Sequence, residues 1–419
     1  MSILIREVKI LDPRSTHHNK TFNVFIKNGK IADIDKTEHR ADVVIEGKGQ
    51  ILTPGWLDLR SNFNDPGHEY KEDIDSGCRL AARSGFTGVA VLPNTDPIIQ
   101  AKSHIEYVKS KSRDYLTDIF PIAAVSLEAK GEDLTEMLDL HHAGAVAFSD
   151  GEQPQWHTDV LLKSLIYLQK IDGLLMSLPE DHMLTRFGTM NEGVVSTTLG
   201  MKGMPALAEH LTIKRDLDVL EYAGGKIHFS NISSKESITL IKAAKRKGLK
   251  VTCDVSIHHL LHTDEDVMGY DTNFKSNPPF RSNKDRKALI EGLKEGVIDA
   301  IVSSHTPQDE ESKKLEFDRA EFGLTGLQTL LPGLLSLSND LDLKVWIPKI
   351  TTGPRMILGL EEATCEKNQI ANLTLFNPKK KWTFDDAANL SKSRNSPYFN
   401  QELTGSVSAV FNGNKYEAY

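Results

Sequence analysis

Apolar and polar positions follow two rhythms along this chain. Over residues 1–53 they alternate, which predicts short strands at 2–9, 23–26, 31–34 and 43–46, with Lys27-Asn28-Gly29-Lys30 as a turn. The same character returns after residue 365, at 371–377, 382–384, 405–411 and 415–416. Neither stretch buries enough surface alone, so the pattern predicts one small composite β-sandwich built from both ends, residues 1–54 and 360–419. Residues 55–359 read differently. Eight short apolar runs ending in polar residues occur at 56–62, 87–94, 118–126, 145–150, 173–181, 226–233, 250–256 and 299–305. Helical spacing fills most of the gaps, as in 234–247, with a Ser cap and a basic last turn. Eight strand–helix alternations predict an α/β fold, a (β/α)8 TIM-type barrel, over the competing open doubly wound sheet.

Composition narrows the function classes. With 50 basic and 58 acidic residues the net charge is −8, so no nucleic-acid or anionic-membrane partner is expected. No apolar stretch approaches the ~18 residues of a spanning helix. Charges at Arg6, Glu7 and Lys9 interrupt any secretory core, and a cytoplasmic protein is expected. Three scattered cysteines without a C-x-x-C pair predict buried thiols, not a disulfide framework or cysteine zinc site. Lys379-Lys-Lys381 is expected to be a solvated turn.

Barrel sites are assembled from strand C-termini and the loops after them. Here those ends carry Asp58-Leu-Arg60-Ser-Asn62-Phe-Asn64, Leu92-Pro-Asn94-Thr, Phe148-Ser-Asp150-Gly, Ser177-Leu178-Pro-Glu180-Asp181, His228-Phe-Ser230-Asn231, Ile257-His258-His259 and Ser303-Ser304-His305-Thr-Pro-Gln308.

On these residues the chain resembles the dihydroorotases of the amidohydrolase superfamily. Further matches are Thr53-Pro-Gly-Trp-Leu-Asp58, Asp65-Pro-Gly-His-Glu-Tyr-Lys-Glu72, Asn277-Pro-Pro-Phe-Arg281, Glu321-Phe-Gly-Leu-Thr-Gly-Leu-Gln328 and Ser391-Lys-Ser-Arg-Asn-Ser-Pro397. The resemblance implies a barrel with a composite sandwich, and interconversion of carbamoyl aspartate and dihydroorotate at a zinc centre. The departures fall on the implied ligands. Arg60 and Asn62 stand where the family has His-x-His, Leu178 and Asn231 where it has histidines, and Ser304 where it has the aspartate that moves the proton; of six ligand positions only Asp150 is kept. Of the implied substrate pocket, Asn94, Asn277 and His305 remain, while Asn64 replaces a carboxylate-binding Arg and Gln308 a His.

A catalytic zinc needs about three His, Asp, Glu or Cys ligands and an open position for water. One carboxylate cannot supply them, and a fixed cation at Arg60 repels a dication. No catalytic residues, metal or other cofactor are therefore expected, and Arg60 is expected to pair with Asp150. A relocated site on His258, His305 and Asp150 is the one arrangement that would restore a metal. His258 and His259 are otherwise read as packed and hydrogen-bonded, and Glu180, Asp181, His182, His141 and His142 as surface residues. The expected function is a non-catalytic structural subunit, a homo-oligomer scaffolding a partner such as aspartate transcarbamoylase. The alternatives are an active dihydroorotase, or a binding module for a small anion built on Arg60, Asn64, Asn94 and Asn277.

Overall fold

A computed structural model describes residues 1–419. All eight apolar runs of the middle segment become parallel strands: Trp56–Ser61, Phe86–Val91, Asp118–Ala123, Ala147–Phe148, Leu175–Ser177, Ile227–Phe229, Val251–Ser256 and Ala300–Val302, neighbours in that order. A parallel bridge between Ser61 and His305 and the bond from Asn62 N–H to His305 O (2.9 Å) bring the last strand against the first. The ring is thus a nearly closed barrel.

The strands have two apolar faces. Trp56, Phe86, Val89 and Phe229 join helix residues such as Ile105, Leu161 and Ile241 in a cluster of 60 buried residues. Leu57, Leu59, Ala90, Ile122, Ala147, Met176, Ala300 and Val302, from six of the eight strands, form a separate apolar cluster, while Ile227–Phe229 and Val251–Ser256 contribute buried polar His228 and Asp254 instead. Burial on both faces explains why the strands carry few exposed residues on either side, although Asp58, Arg60, His228 and Asp254 are buried polar positions within them. The helix Lys235–Arg246 shows the outer layer's logic: Ser234 caps it by accepting from Ser237 N–H, and Ile238, Ile241 and Ala244 are buried at helical spacing. Each such isoleucine contributes about 1.5–3 kcal/mol by burial.

The two ends of the chain build one continuous eight-stranded sheet. Its path runs Lys415–Ala418, Gln401–Asn412, Asn372–Phe384, Ile51–Pro54, Ser2–Ile10, Thr21–Lys27 and Lys30–Asp35, with Val43–Glu46 also pairing Ser2–Ile10. Fifteen residues from both ends share one apolar cluster, so neither half has a core of its own. The lysines at 379–381 lie inside strand Asn372–Phe384, at an irregularity in its pairing, and not in a turn; Lys381 pairs with Glu402 at 2.7 Å. Cys78, Cys253 and Cys365 are buried free thiols. No helix is long and apolar enough to cross a membrane.

Candidate functional site

The strand ends converge on a cavity of about 170 Å³, lined by Arg60, Glu152, Gln153, Leu178, His258, Ser276, Asn277, Ser304, Thr306, Gln308 and residues 321–324. Arg60 projects from the first strand and is 4% exposed. Its Nε–H has no acceptor, and no carboxylate comes within ion-pairing distance. The expected Arg60–Asp150 pair is not formed. Asp150 instead receives Val125 N–H (3.0 Å) and Ser126 N–H (2.9 Å) on one oxygen and the Ser126 hydroxyl (2.7 Å) on the other. Three donors at the end of the third strand satisfy this carboxylate locally, leaving it little need of a counter-ion. Arg60 therefore keeps a buried charge compensated only at longer range by Glu152, Asp254 and Asp58. Burial pulls its pKa down, but a guanidinium stays charged.

Asp58 and Asp254 spend their oxygens elsewhere. Asp58 accepts from Ser303 N–H (2.8 Å) and from the Ser303 and Ser61 hydroxyls (2.6 Å each). Asp254 accepts from Asn231 N–H at 2.6 Å and lies 2.8 Å from His228 Nε2. Burial pushes Asp58 up to about 6, and Asp216, beneath Ser177, equally to about 6. Both sit above the ordinary 3.8, so the folded protein binds these protons more tightly than the unfolded chain. Their stabilising contribution is complete below about pH 3.8 and is lost as pH rises to about 6. Carboxyl ¹³C shifts should show two aspartates titrating near pH 6; if all aspartates titrate below pH 4.5, the burial argument fails.

The other altered positions are knitted into the wall. Asn62 Nδ2 donates to Glu152 at 2.7 Å, and Asn231 Nδ2 donates to the Ser304 hydroxyl at 2.9 Å. Leu178 is 4% exposed and presents only carbon. Asn64, Asn231 and Ser304 all have left-handed backbone, φ +56°, +53° and +48°. Asparagine tolerates this conformation better than serine, so the strain at Ser304 belongs to the loop geometry.

Of the five residues read as a substrate pocket, Asn277 and Gln308 line the cavity, and Asn64, Asn94 and His305 do not. Asn94 ties the loop after the fourth strand, donating to Asp150 O (3.3 Å) and accepting from Glu152 N–H (2.9 Å). That turn needs Gly151, at φ +68°, where a Cβ would lie 1.9 Å from Asn94 Oδ1. His305 is buried, accepting Gly326 N–H on Nδ1 at 3.2 Å with Nε2 3.4 Å from Glu72. His259 is held by Pro278 O at 3.0 Å, and burial lowers it to about 4. His258, expected to be hydrogen-bonded, leaves both ring nitrogens unpaired at the cavity, and burial keeps it neutral. Glu180 is not a free surface residue: it accepts Asn277 Nδ2 at 3.0 Å. Asp181 caps the short helix His182–Thr185.

Sequence reasoning missed Glu152 and did not place residues 321–324 at the site. That loop is held by two buried lysines. Lys313 donates to Glu321 O (2.8 Å) and Gly323 O (3.2 Å), and Lys275 donates to Asp318 O (3.1 Å) and Ala320 O (2.5 Å).

Comparison with known proteins places this geometry in context. The family model described as Dihydro-orotase-like matches residues 49–237. The chain is 37% identical over 420 residues to a protein named Dihydroorotase from Geobacter metallireducens, covering 99% of each. It is 38% identical over 410 residues to another of that name from Geobacter sp. strain M21, covering 97% of this chain and 96% of that one. The chain belongs to the dihydroorotase-like family. The same fold occurs in an L-hydantoinase (dihydropyrimidinase) from Arthrobacter aurescens, with TM-score 0.88, 19% identity and coverage of 99% and 96%. A D-hydantoinase (dihydropyrimidinase) from Thermus sp. shares it too, with TM-score 0.82, 18% identity and coverage of 100% and 97%.

The residues at this dihydroorotase-like chain's mouth do not fit the zinc centre that the resemblance implies. Asp150 is committed to Val125 and Ser126, Arg60 brings a cation, and Asn62, Asn231 and Ser304 bond to other protein groups. His258, His305 and Asp150 do not bring their ligand atoms together as a relocated site would require. Ligand atoms of three such residues converge within 4.8 Å only at Asp33, Asp35 and His39, in the terminal sheet. The mouth of the barrel is equipped for hydrogen bonding and charge recognition.

Proposed function

We propose that this chain is a dihydroorotase homologue of pyrimidine biosynthesis that no longer turns substrate over and serves in the cytoplasm as a structural subunit. The observation that carries this reading is the guanidinium of Arg60 at the mouth, with Asp150 already satisfied by Val125 and Ser126. The framework, by contrast, is intact over the whole chain, as the 37% identity to a full-length relative attests. We take residues 1–54 with 360–419, and 55–359, as its two structural units. A second reading, an active enzyme interconverting carbamoyl aspartate and dihydroorotate, is favoured by the name of those relatives. The donor set weighs against it.

A subunit role needs a contact face. Met183, Phe187, Leu207 and Leu211 stand exposed on and after helix His182–Thr185 and on helix Leu207–Ala223, which pack together. Apolar and aromatic anchors of this kind suit the centre of an interface. The expected assembly is a homo-oligomer burying at least ~1,000 Å² in total, with aspartate transcarbamoylase as the proposed heterologous partner. Sedimentation of the chain alone, and then mixed with aspartate transcarbamoylase from the same source, should show a species heavier than the monomer. A strictly monomeric chain that ignores the enzyme at micromolar concentration would end the scaffold reading.

A further inference from the structure

Arg60 and Glu152 line the same cavity without pairing with each other. Each has bonding capacity to spare. The Arg60 Nε–H has no acceptor at 4% exposure, and Glu152 gives one oxygen to Asn62 and leaves the other free. Around them the wall offers unpaired atoms of both kinds. Asn277 spends its amide N–H on Glu180 and Gln308 spends its own on Phe322 O, so each leaves a buried carbonyl oxygen without a donor. The Ser304 hydroxyl accepts from Asn231 and retains its own proton for donation. Neutral His258 presents one N–H and one lone pair, both unpartnered. Buried polar groups are paired in nearly every native protein, so a cluster of buried polar atoms without protein partners around a cavity marks a place suited to a polar ligand.

The required partner has a definite chemistry. It must carry an anionic end for the planar fork of Arg60, where a carboxylate accepts two parallel N–H bonds. Its other end must be donor-rich for the carbonyls of Asn277 and Gln308, since an anion there would be repelled and a hydrocarbon would leave those oxygens unpaired, and the carboxylate of Glu152 favours a cationic donor over a neutral one. A cavity of about 170 Å³ holds only a small molecule. We infer that the mouth of the barrel is a recognition site for a small zwitterionic α-amino acid, its carboxylate on Arg60 and its ammonium facing Glu152. This rests on the metal-free reading of the mouth, because Arg60 occupies the place where the resemblance expects a metal ligand.

The test is calorimetric titration of the purified chain with L-alanine and L-aspartate. Each is compared with its deaminated counterpart, propionate or succinate, and with N-carbamoyl-L-aspartate, whose ureido group carries no positive charge. At least one amino acid should bind at least tenfold more tightly than its deaminated counterpart and than the ureido acid. Arg60→Met should weaken amino-acid binding at least tenfold. Glu152→Gln should weaken it comparably while leaving propionate and succinate no weaker, a charge-specific signature that general damage to the wall would not produce. Equal binding of the amino and deaminated acids, tighter binding of N-carbamoyl-L-aspartate, or affinity unchanged in Arg60→Met would overturn the inference. Elemental analysis of the same sample separates the two possible failures. Metal-free protein that binds no amino acid refutes this site alone, whereas one zinc per chain refutes the metal-free reading beneath it.

Discussion

The purified chain should turn over neither carbamoyl aspartate nor dihydroorotate above background, and after preparation in excess zinc it should hold far less than one metal ion per chain. Without a metal, nothing lowers the pKa of water from 15.7 towards 7 or polarises the substrate carbonyl. Ser304 does not titrate near neutrality, so proton transfer fails together with metal binding. Groups that act as a unit are lost as a unit, and restoring one of them recovers almost nothing. Arg60→His alone should therefore be as inactive as the parent. The geometry extends this to combinations. Even with histidine at 60, 62, 178 and 231 and aspartate at 304, Asp150 would have to offer the metal the oxygen that now accepts the Ser126 hydroxyl, because its other oxygen already accepts two N–H groups. Activity of the five-fold variant is accordingly expected only if Ser126→Ala is added to free the second carboxylate oxygen. Turnover by the unmodified chain that a chelator abolishes would show that a metal site had been rebuilt from other residues.

The barrel was legible because its strands are buried on both faces, which leaves eight short, mostly apolar runs separated by helical spacing. The shortest, Ala147–Phe148, stood out as a run mainly because 145–150 ends in Ser149-Asp150. That the two ends of the chain combine was also legible, but the expected sandwich is one continuous sheet, joined through strand Ile51–Pro54, which is fully buried between Ser2–Ile10 and Asn372–Phe384 and carries no alternation to announce it. At the site, which residues had changed could be read directly, but what they do instead could not. Asp150 was expected to seek Arg60 because a buried carboxylate and a buried guanidinium usually meet. It is satisfied by backbone N–H groups of residues 125 and 126, and backbone donors have no sequence signature. Asn94 is a similar case: it matches a carboxylate-binding residue, yet both ends of its amide hold the turn at Gly151. Residues 321–324 were recognisable as a motif, but only the fold brings them against the distant strand ends at Arg60, Leu178 and His258.

Two buried arginines of this chain should respond oppositely to the same substitution. Arg281 is 5% exposed and fully engaged, donating to Asn191 Oδ1 (3.0 Å), Met204 O (2.6 Å) and the Ser233 hydroxyl (3.0 Å), with Glu209 at 3.9 Å. Glu209 in turn accepts Ser233 N–H (3.0 Å) and Ser234 N–H (3.2 Å) at the start of helix Lys235–Arg246. Arg281→Met leaves those acceptors and that carboxylate buried without their cation, which should cost about 3–5 kcal/mol. Arg60 is equally buried but makes no bond that methionine would lose, and its removal ends the cost of holding an unpaired charge away from water. The nearest acids do not depend on it, since Asp58 keeps Ser61 and Ser303, and Asp254 keeps Asn231 and His228. Arg60→Met should therefore be neutral or stabilising by up to about 1 kcal/mol, as replacing a buried charge by a well-packed apolar chain often is. Urea unfolding midpoints, compared at unchanged m-value, measure both variants. A loss for Arg60→Met as large as that for Arg281→Met would mean that Arg60 has a protein partner after all, and the argument for a recognition site at the mouth would go with it.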